Sequence, residues 1–525
     1  MMIMSDLAND FANFKTPSWL TSTLLAGMLR GIEKEGLRVK PDGTLAQTPH
    51  PQALGSKLTH PFITTDYSES LLELITEPKA TPKAALGMLR QLHVLVHKAL
   101  PEDELMWPLS MPCRLSLDDN DIPLADYGSS NTGKLKTLYR SGLGIRYGRR
   151  MQTIAGLHYN LSFGDDLFSA WHQAIDSEQD FADFKNDKYL GLIRNFKRMT
   201  ALVLYLLGAS PSVNASFVAG REHDLVLMND STYYKPAATS LRMGKLGYTN
   251  SVQEHLDIRY NHLPEYVDGL RRAIRTPHEG FARLGLDDET GTPIQINNHI
   301  LQIENEYYSP IRPKQIALSG ETPTEALERR GIAYVEFRAI DLDPYSDVGI
   351  RLSSACFLEV LALYCLLSDS PELFPEEEEM IGVNIERVVN EGRKKALTVL
   401  SDGQDVPLES WMLRHLCKMQ PLAALLDAHH GGNDYRTAVA LMQGKAGHSE
   451  STISAQVLSD SERLGDLWRL GISLAQQHQE QLLEQTLSPN TQAKYEVLAE
   501  KSVLQQSDIE RDDTTGFDVF LAQYR

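Results

Sequence analysis

The chain has 525 residues, room for two or three average domains or for one large enzyme core with appended regions. Its 42% hydrophobic and 23% charged content describes an ordinary soluble globular protein. A formal net charge of −19 leaves no basic surplus for a nucleic-acid or anionic-membrane partner, so an anionic substrate has to be gathered by a few arginines or by metal ions.

Residues 1–30 read as helical and peripheral, and no basic segment followed by an apolar stretch marks a signal peptide. From about 31 to 345, strand-like runs alternate with helices such as KAALGMLRQLHVLVHKAL (83–100). GSSNTGK at 128–134 has the glycine spacing of a phosphate loop. Leu135, however, stands where a magnesium-binding hydroxyl is needed, so a flexible loop covering the site is expected instead. MQTIAGLHYNLSF (151–163) reads as a two-faced strand with Gln152, His158 and Asn160 on one side, and QINNHILQIENEYY (295–308) reads similarly. The longest apolar run, ALVLYLLGA (201–209), is too short to span a bilayer. After about 346 helical spacing dominates, in VGIRLSSACFLEVLALYCLLS, NIERVVNEGRKKALTVL, WMLRHLCKMQPLAALLDAHH and SERLGDLWRLGISLAQQHQEQLLEQTL, with SDGQDVP and HHGGND as turns. The expected organisation is a catalytic α+β core over 1–345 and a mostly helical region over 346–525 packed on it. Cys113, Cys356, Cys365 and Cys417 form no C-x-x-C pair and read as core residues of a reducing compartment. A cytoplasmic monomer is expected.

Four stretches place acidic residues at alternate positions of strand-like sequence: Glu33 and Glu35 in GIEKEGLRV, Glu73 in LLELIT, Gln302, Glu304 and Glu306 in LQIENEYY, and Glu336 in YVEFRAI. Residues two apart share a strand face. Ionised carboxylates gathered on one face need a cation among them. All-oxygen ligation points to magnesium or manganese, and magnesium to phosphate chemistry. His158 could add one nitrogen ligand, although a lone histidine is more often a hydrogen-bonded core residue, and the further His or Cys that zinc would want at close spacing are absent. Arg338 shares a face with Glu336. A structural ion pair competes there with a fork placed to hold a transferring phosphoryl group. Arg140 and Arg242 could grip phosphate or carboxylate, and Tyr67, Tyr139, Tyr248 and Tyr308 could line a small-molecule pocket.

RGIEKEGLRV, SKLTHPFITTDYSESLLELIT, MWPLSMPC, YGSSNTGKLKTLYRSGL, RYGRRMQTIAGLHYNLS, TSLRMGKLGYTN, LQIENEYYSPIRPK and GIAYVEFRAIDLDP resemble, in this order from about residue 25 to 350, the gamma-proteobacterial type of glutamate–cysteine ligase. The resemblance implies a fold similar to glutamine synthetase: a curved, mainly antiparallel sheet with surrounding helices, whose concave face holds metal ions, ATP and substrate. It implies magnesium ligands at Glu33, Glu35, Asp66, Glu73, His158 and Glu336, and an arginine at the transferred phosphate, Arg338. It also implies a cysteine pocket of Tyr67, Tyr139, Leu143, Gln152, Tyr248 and Tyr308, with Arg242 near a substrate carboxylate. Two positions depart from the family pattern. Gly36 stands where threonine is frequent, and Tyr67 where phenylalanine is familiar, which makes the sulfur-side wall more polar. The length leaves no room for the second ligase domain of fused relatives, so one reaction is expected.

The expected reaction is ATP-dependent joining of the glutamate γ-carboxylate to the cysteine amine through a γ-glutamyl phosphate, the first step of glutathione synthesis. Arg338 and Arg140 would offset charge on the moving phosphoryl group. Rival readings are a glutamate ligase with another amine acceptor, a metal-dependent phosphoester hydrolase, and a nucleotide-binding regulator without catalysis.

Overall fold

The computed structural model describes residues 14–247, 252–253, 256–318 and 320–525. Its centre is a seven-stranded antiparallel sheet built from β1 (Leu29–Val39), β2 (Ile63–Thr65), β3 (Leu71–Ile75), β4 (Leu105–Met106), β5 (Leu157–Ser162), β6 (Ile311–Lys314) and β7 (Tyr334–Ile340). The strand order is β2-β3-β1-β5-β7-β6, with β4 on the far end of β1. This is the α+β arrangement that the two-faced strands led one to expect.

Register decides what meets on the sheet face. Glu35 lies opposite Glu73 across β1 and β3. Glu33 lies opposite His158 across β1 and β5. Glu336 lies opposite Asn160 on one side and Arg312 on the other. Alternation then places Glu33, Glu35, Glu73, His158, Asn160, Arg312, Glu336 and Arg338 on one surface.

The other surface rests on helices. The first is α1 (Pro82–Ala99), started by a Thr81 side-chain cap and a proline in its first turn. Next in chain order comes α2 (Asn131–Tyr147), which lies on the opposite, acidic side of the sheet, and then, on the back surface, α3 (Phe181–Leu207) and α4 (Leu352–Leu367). The 201–209 run forms the end of α3 and is buried throughout, and α4 is buried almost entirely; Cys356 and Cys365 pack within it. One hydrophobic core includes residues of β1, α3 and α4 and of the later helices Leu408–His430 and Asp434–Gly447. This back face is not simply apolar. Arg30 pairs with Glu359 of α4 at 2.7 Å and Arg38 with Glu104 at 2.8 Å, all four side chains fully buried. Lys34 lies between them in sequence, buried beside His93, His97 and His478, and burial lowers its pKa to about 8.

Several expectations are corrected. Of residues 1–30, those before 14 lie outside the described residues; Ser22–Gly27 forms only a short 3₁₀ helix, and β1 begins at Leu29. The 151–163 stretch is a strand only from Leu157. Met151–Thr153 is a 3₁₀ turn, and Gly156 gives its N–H to the Glu35 carboxylate at 2.6 Å. The 295–308 stretch joins no sheet, and Glu304–Glu306 is another 3₁₀ turn. ALTVL is not helical: Thr398–Ser401 pairs with Gln404–Pro407 as a hairpin. Its turn residues Asp402 and Gly403 both have positive φ, as an Asp-Gly hairpin turn requires. GSSNTGK is neither a phosphate loop nor a free cover. Ser130 caps α2 through the Gly133 N–H, and the preceding loop is held by C-terminal residues. Cys417 is exposed, while the other three cysteines are buried. No helix among the described residues is long and apolar enough to cross a membrane.

Candidate active site

His158 sits at the middle of the acidic face. Its Nδ1 lies 3.2 Å from Glu33 and 3.5 Å from Glu336, and its Nε2 lies 3.9 Å from Glu35. One ligand atom from each of Glu33, His158 and Glu336 can be chosen so that all three fall within 4.8 Å of one another. Asn160 orients this group by donating to Glu33 at 2.8 Å. The two ends of the acidic face differ electrostatically. At Glu336 burial is outweighed by Lys314, Arg338, His158 and Arg312, which hold its carboxyl well below the usual range. At Glu73 burial comes first, and the carboxylates of Glu33, Asp66 and Glu35 add to it, pushing its pKa well above normal. Glu35 is raised likewise, by burial and then by Asp66. Four carboxylates with so little nearby positive charge form a donor set that suits a divalent cation. The residues present therefore fit the metal that the family implies.

Beside this face lies a cleft of about 340 Å³. Asp66, Tyr67, Tyr139, Arg140, Leu143, Gln152, Arg242 and Tyr308 all line it, together with Glu35, His158 and Arg338. Tyr248 lies outside the described residues. Arg338 donates to Glu336 at 3.2 Å, and its Nε is buried with no hydrogen-bond partner among the described residues. Arg242 is buried, reaching Asp341 at 3.5 Å and the Arg338 carbonyl at 3.1 Å. Arg140 stacks its guanidinium 4.5 Å from the Tyr127 ring centre and donates to the Asp66 carbonyl. The Tyr67 hydroxyl is buried beside Gly144, where any Cβ would overlap it. The more polar wall expected at this position therefore depends on a glycine in α2.

Gln302, Glu304 and Glu306 do not join the acidic face. Glu304 accepts from the backbone N–H and hydroxyl of Thr324, at the start of the Pro323–Arg330 helix. Glu306 takes Arg146 at 3.2 Å, the Tyr147 hydroxyl at 2.5 Å and the Gln302 N–H at 2.7 Å. With their oxygens satisfied locally, these carboxylates brace a wall of the cleft. Arg221 of the cleft lining escaped the sequence reading, and so did two cations of β6. Arg312 lines the cleft, and Lys314 pairs with Glu336 at 3.5 Å. Their alternation in Ile311–Lys314 was the available signal, since it gives both residues one face of β6.

The sequence profile of the family described as Glutamate-cysteine ligase matches residues 18–388. The chain is 46% identical over 505 residues to the glutamate–cysteine ligase of Alcanivorax borkumensis, covering 95% of this chain and 96% of that one. It is 44% identical to that of Pseudomonas aeruginosa PAO1 over 96% of this chain and 95% of the relative. Among solved structures, the glutamate–cysteine ligase of Francisella tularensis in complex with AMP superposes with a TM-score of 0.89 at 35% identity, covering 95% of this chain and 97% of that chain. A bifunctional glutathione synthetase from Pasteurella multocida gives a TM-score of 0.70 at 25% identity, over 93% of this chain and 58% of the larger one. The fold, an antiparallel sheet with surrounding helices, is thus shared with solved ligases of glutathione chemistry. The chain belongs to the glutamate–cysteine ligase family.

Proposed function

We infer that the chain joins the γ-carboxylate of glutamate to the amine of cysteine, converting ATP to ADP and phosphate. A carboxylate is a poor acceptor for an amine near neutral pH, so the γ-phosphoryl group of ATP is first transferred to it, giving γ-glutamyl phosphate. The cysteine amine then attacks the acyl carbon, the C–O bond to phosphate breaks, and the amine loses a proton. The observation that carries this reading is the meeting of Glu33, His158, Glu336 and Arg338 on one sheet face, with His158 and Arg338 also lining the adjoining cleft.

Roles follow from position. Glu33, His158 and Glu336 would hold one divalent cation, and Glu35, Asp66 and Glu73 would supply oxygens for another. Magnesium bound there supplies the positive charge that lets a triphosphate and a carboxylate approach. Arg338, fixed by Glu336 and with Nε unpaired, is aimed to take up charge on the phosphoryl oxygens. Arg312, buried on the neighbouring strand, adds to the same field. Arg242 is placed for a substrate carboxylate. Tyr67, Tyr139, Leu143, Gln152 and Tyr308 form the walls for cysteine. Arg140, which donates to the carbonyls of Asp66, Lys136 and Thr65, serves first to hold Asp66 in place. The assignment is tested by supplying ATP, magnesium, glutamate and cysteine and following ADP. Release must require both amino acids, and cysteine must outperform serine, 2-aminobutyrate and ammonia. ADP release without an amino acid would end the ligase reading.

A further inference from the structure

Two walls of the cleft lie off the sheet and so lack ladder hydrogen bonds to fix them. One is α2, carrying Tyr139, Arg140 and Leu143; the other is the turn at 304–308, carrying Glu306 and Tyr308. The end of the chain touches the α2 wall and the 296–303 stretch that leads into the turn.

At α2 the contact is electrostatic. The helix has no acidic residue in its own first turn, although its N-terminal N–H groups and dipole favour negative charge there. Asp513 supplies that charge from the far end of the chain. It lies just past α5 (Pro489–Asp512), and its carboxylate takes the Asn131 backbone N–H at 2.5 Å and the Asn131 side-chain amide at 2.6 Å. The same amide reaches the Thr515 carbonyl at 2.8 Å, and Asn131 is only 4% exposed. Next, α6 (Phe517–Leu521) lays Phe517 and Leu521 into a small apolar cluster with Leu138 of α2 and with Ile296 and Ile303 of the facing segment. Finally, Asn297 donates to the Tyr524 carbonyl at 3.1 Å, and Arg525 donates to the Ile296 carbonyl at 3.3 Å while pairing with Asp287 at 2.7 Å. One short stretch therefore fastens the start of α2, fills the gap beneath it, and anchors on the chain leading to the opposite wall.

We propose that residues 513–525 clamp α2 to the 296–308 segment, with Asp513 as the positioning residue, and thereby set the enzyme's affinity for its amine substrate. This rests on the assignment of the cleft to that substrate. The cation-holding end of the site is carried by the sheet: Glu33, His158 and Glu336 sit on its strands, and Asp66, although Arg140 also reaches it, is tied to β3 by its own N–H to the Leu71 carbonyl at 2.9 Å. Displacing α2 by a fraction of an ångström moves Tyr139, Arg140 and Leu143 together and leaves Glu33, His158 and Glu336 in register.

The test uses the full-length chain with Asp513→Ala, Asp513→Glu and Leu521→Ala. Asp513→Ala and Leu521→Ala are expected to raise KM for cysteine about tenfold while KM for ATP and kcat change by less than about twofold. Asp513→Glu, which keeps the charge, is expected to recover most of the loss. Amide exchange should quicken at 131–147 and stay unchanged in β1, β5 and β7. Leu521→Ala decides the matter alone if Asp513→Ala does not fold. Unchanged KM for cysteine, or a parallel loss in every kinetic constant and in the melting temperature, overturns the clamp. An unsubstituted chain without ligase turnover would instead remove the assignment of the cleft. Exchange at α2 then judges the clamp independently, and unchanged exchange there overturns it whatever the activity.

Discussion

Arg338 and Glu336 sit two apart on β7, and that spacing alone lets them touch at 3.2 Å. The ion pair is structural in the sense that it fixes the guanidinium. It leaves Nε without a hydrogen-bond partner among the described residues, and this is where a phosphoryl oxygen would gain most from a preset donor. Arg338→Lys keeps the charge and loses the planar fork. Turnover is expected to fall by about 100- to 1,000-fold, as when a preorganised donor to a developing anion is lost. The comparison to make is kcat at saturating ATP, glutamate and cysteine, with melting temperature as the control; an unaltered kcat would remove Arg338 from the chemistry. At this scale the sequence was informative wherever a residue's role depends on strand neighbours, as for Glu33, Glu35 and Glu336. It was silent on Arg312, whose importance comes from the register of a strand more than 20 residues earlier in the chain.

At the scale of elements, β1 illustrates what holds the site in place. Its front face carries Glu33 and Glu35, while Arg30 on its back face reaches Glu359 of α4. Glu359 also accepts from Tyr159 of β5 at 2.6 Å and from Tyr435 at 2.7 Å, so one buried carboxylate ties two adjacent strands to two helices. Glu359→Ala would leave the Arg30 charge buried without its counter-ion, at a cost of about 3–5 kcal/mol. Urea unfolding is expected to show a loss of stability of that size, seen as a lower midpoint with the slope unchanged, and a loss below about 1 kcal/mol would contradict the role given to this network. Strands and long helices with strong periodicity matched the sequence reading, including β1, β3, β7, α1 and α3. The 295–308 stretch did not, because its alternation served local contacts: a helix start at Thr324 and a buried pair with Arg146. Alternation specifies a strand only where a neighbouring strand is available to complete its ladder.

The molecule as a whole carries buried neutral histidines. Burial lowers the pKa of His60 to about 4, of His97 to about 3 and of His478 to about 4. The geometry at His60 also requires the neutral ring: its Nδ1 accepts the N–H groups of Phe62 and Ile63, at 3.1 and 2.9 Å, and a proton there would break both contacts. Above about pH 6.5 these side chains are neutral whether the chain is folded or not, and their contribution to stability is fully present. Below that value the unfolded chain takes up protons that the folded chain resists until about pH 4, so stability falls as pH falls through this window. Calorimetry between pH 7 and 4.5 is expected to show a steadily falling melting temperature, less steep in His60→Asn. A melting temperature independent of pH would count against buried neutral imidazoles.

Taken alone, the sequence determined the character of this protein: acidic alternation within strands, a net charge that requires specific cation chemistry, and ordered segments that mark the ligase family. Those features are local or additive, so they can be read along the chain. Tertiary structure alone decided which carboxylates converge, because cross-strand register is a property of paired strands and no single strand contains it. It also decided that Glu304 and Glu306 brace a wall and that the chain's last residues grip α2. Contacts between residues hundreds of positions apart leave no periodic trace, and they exist only once the chain has closed on itself.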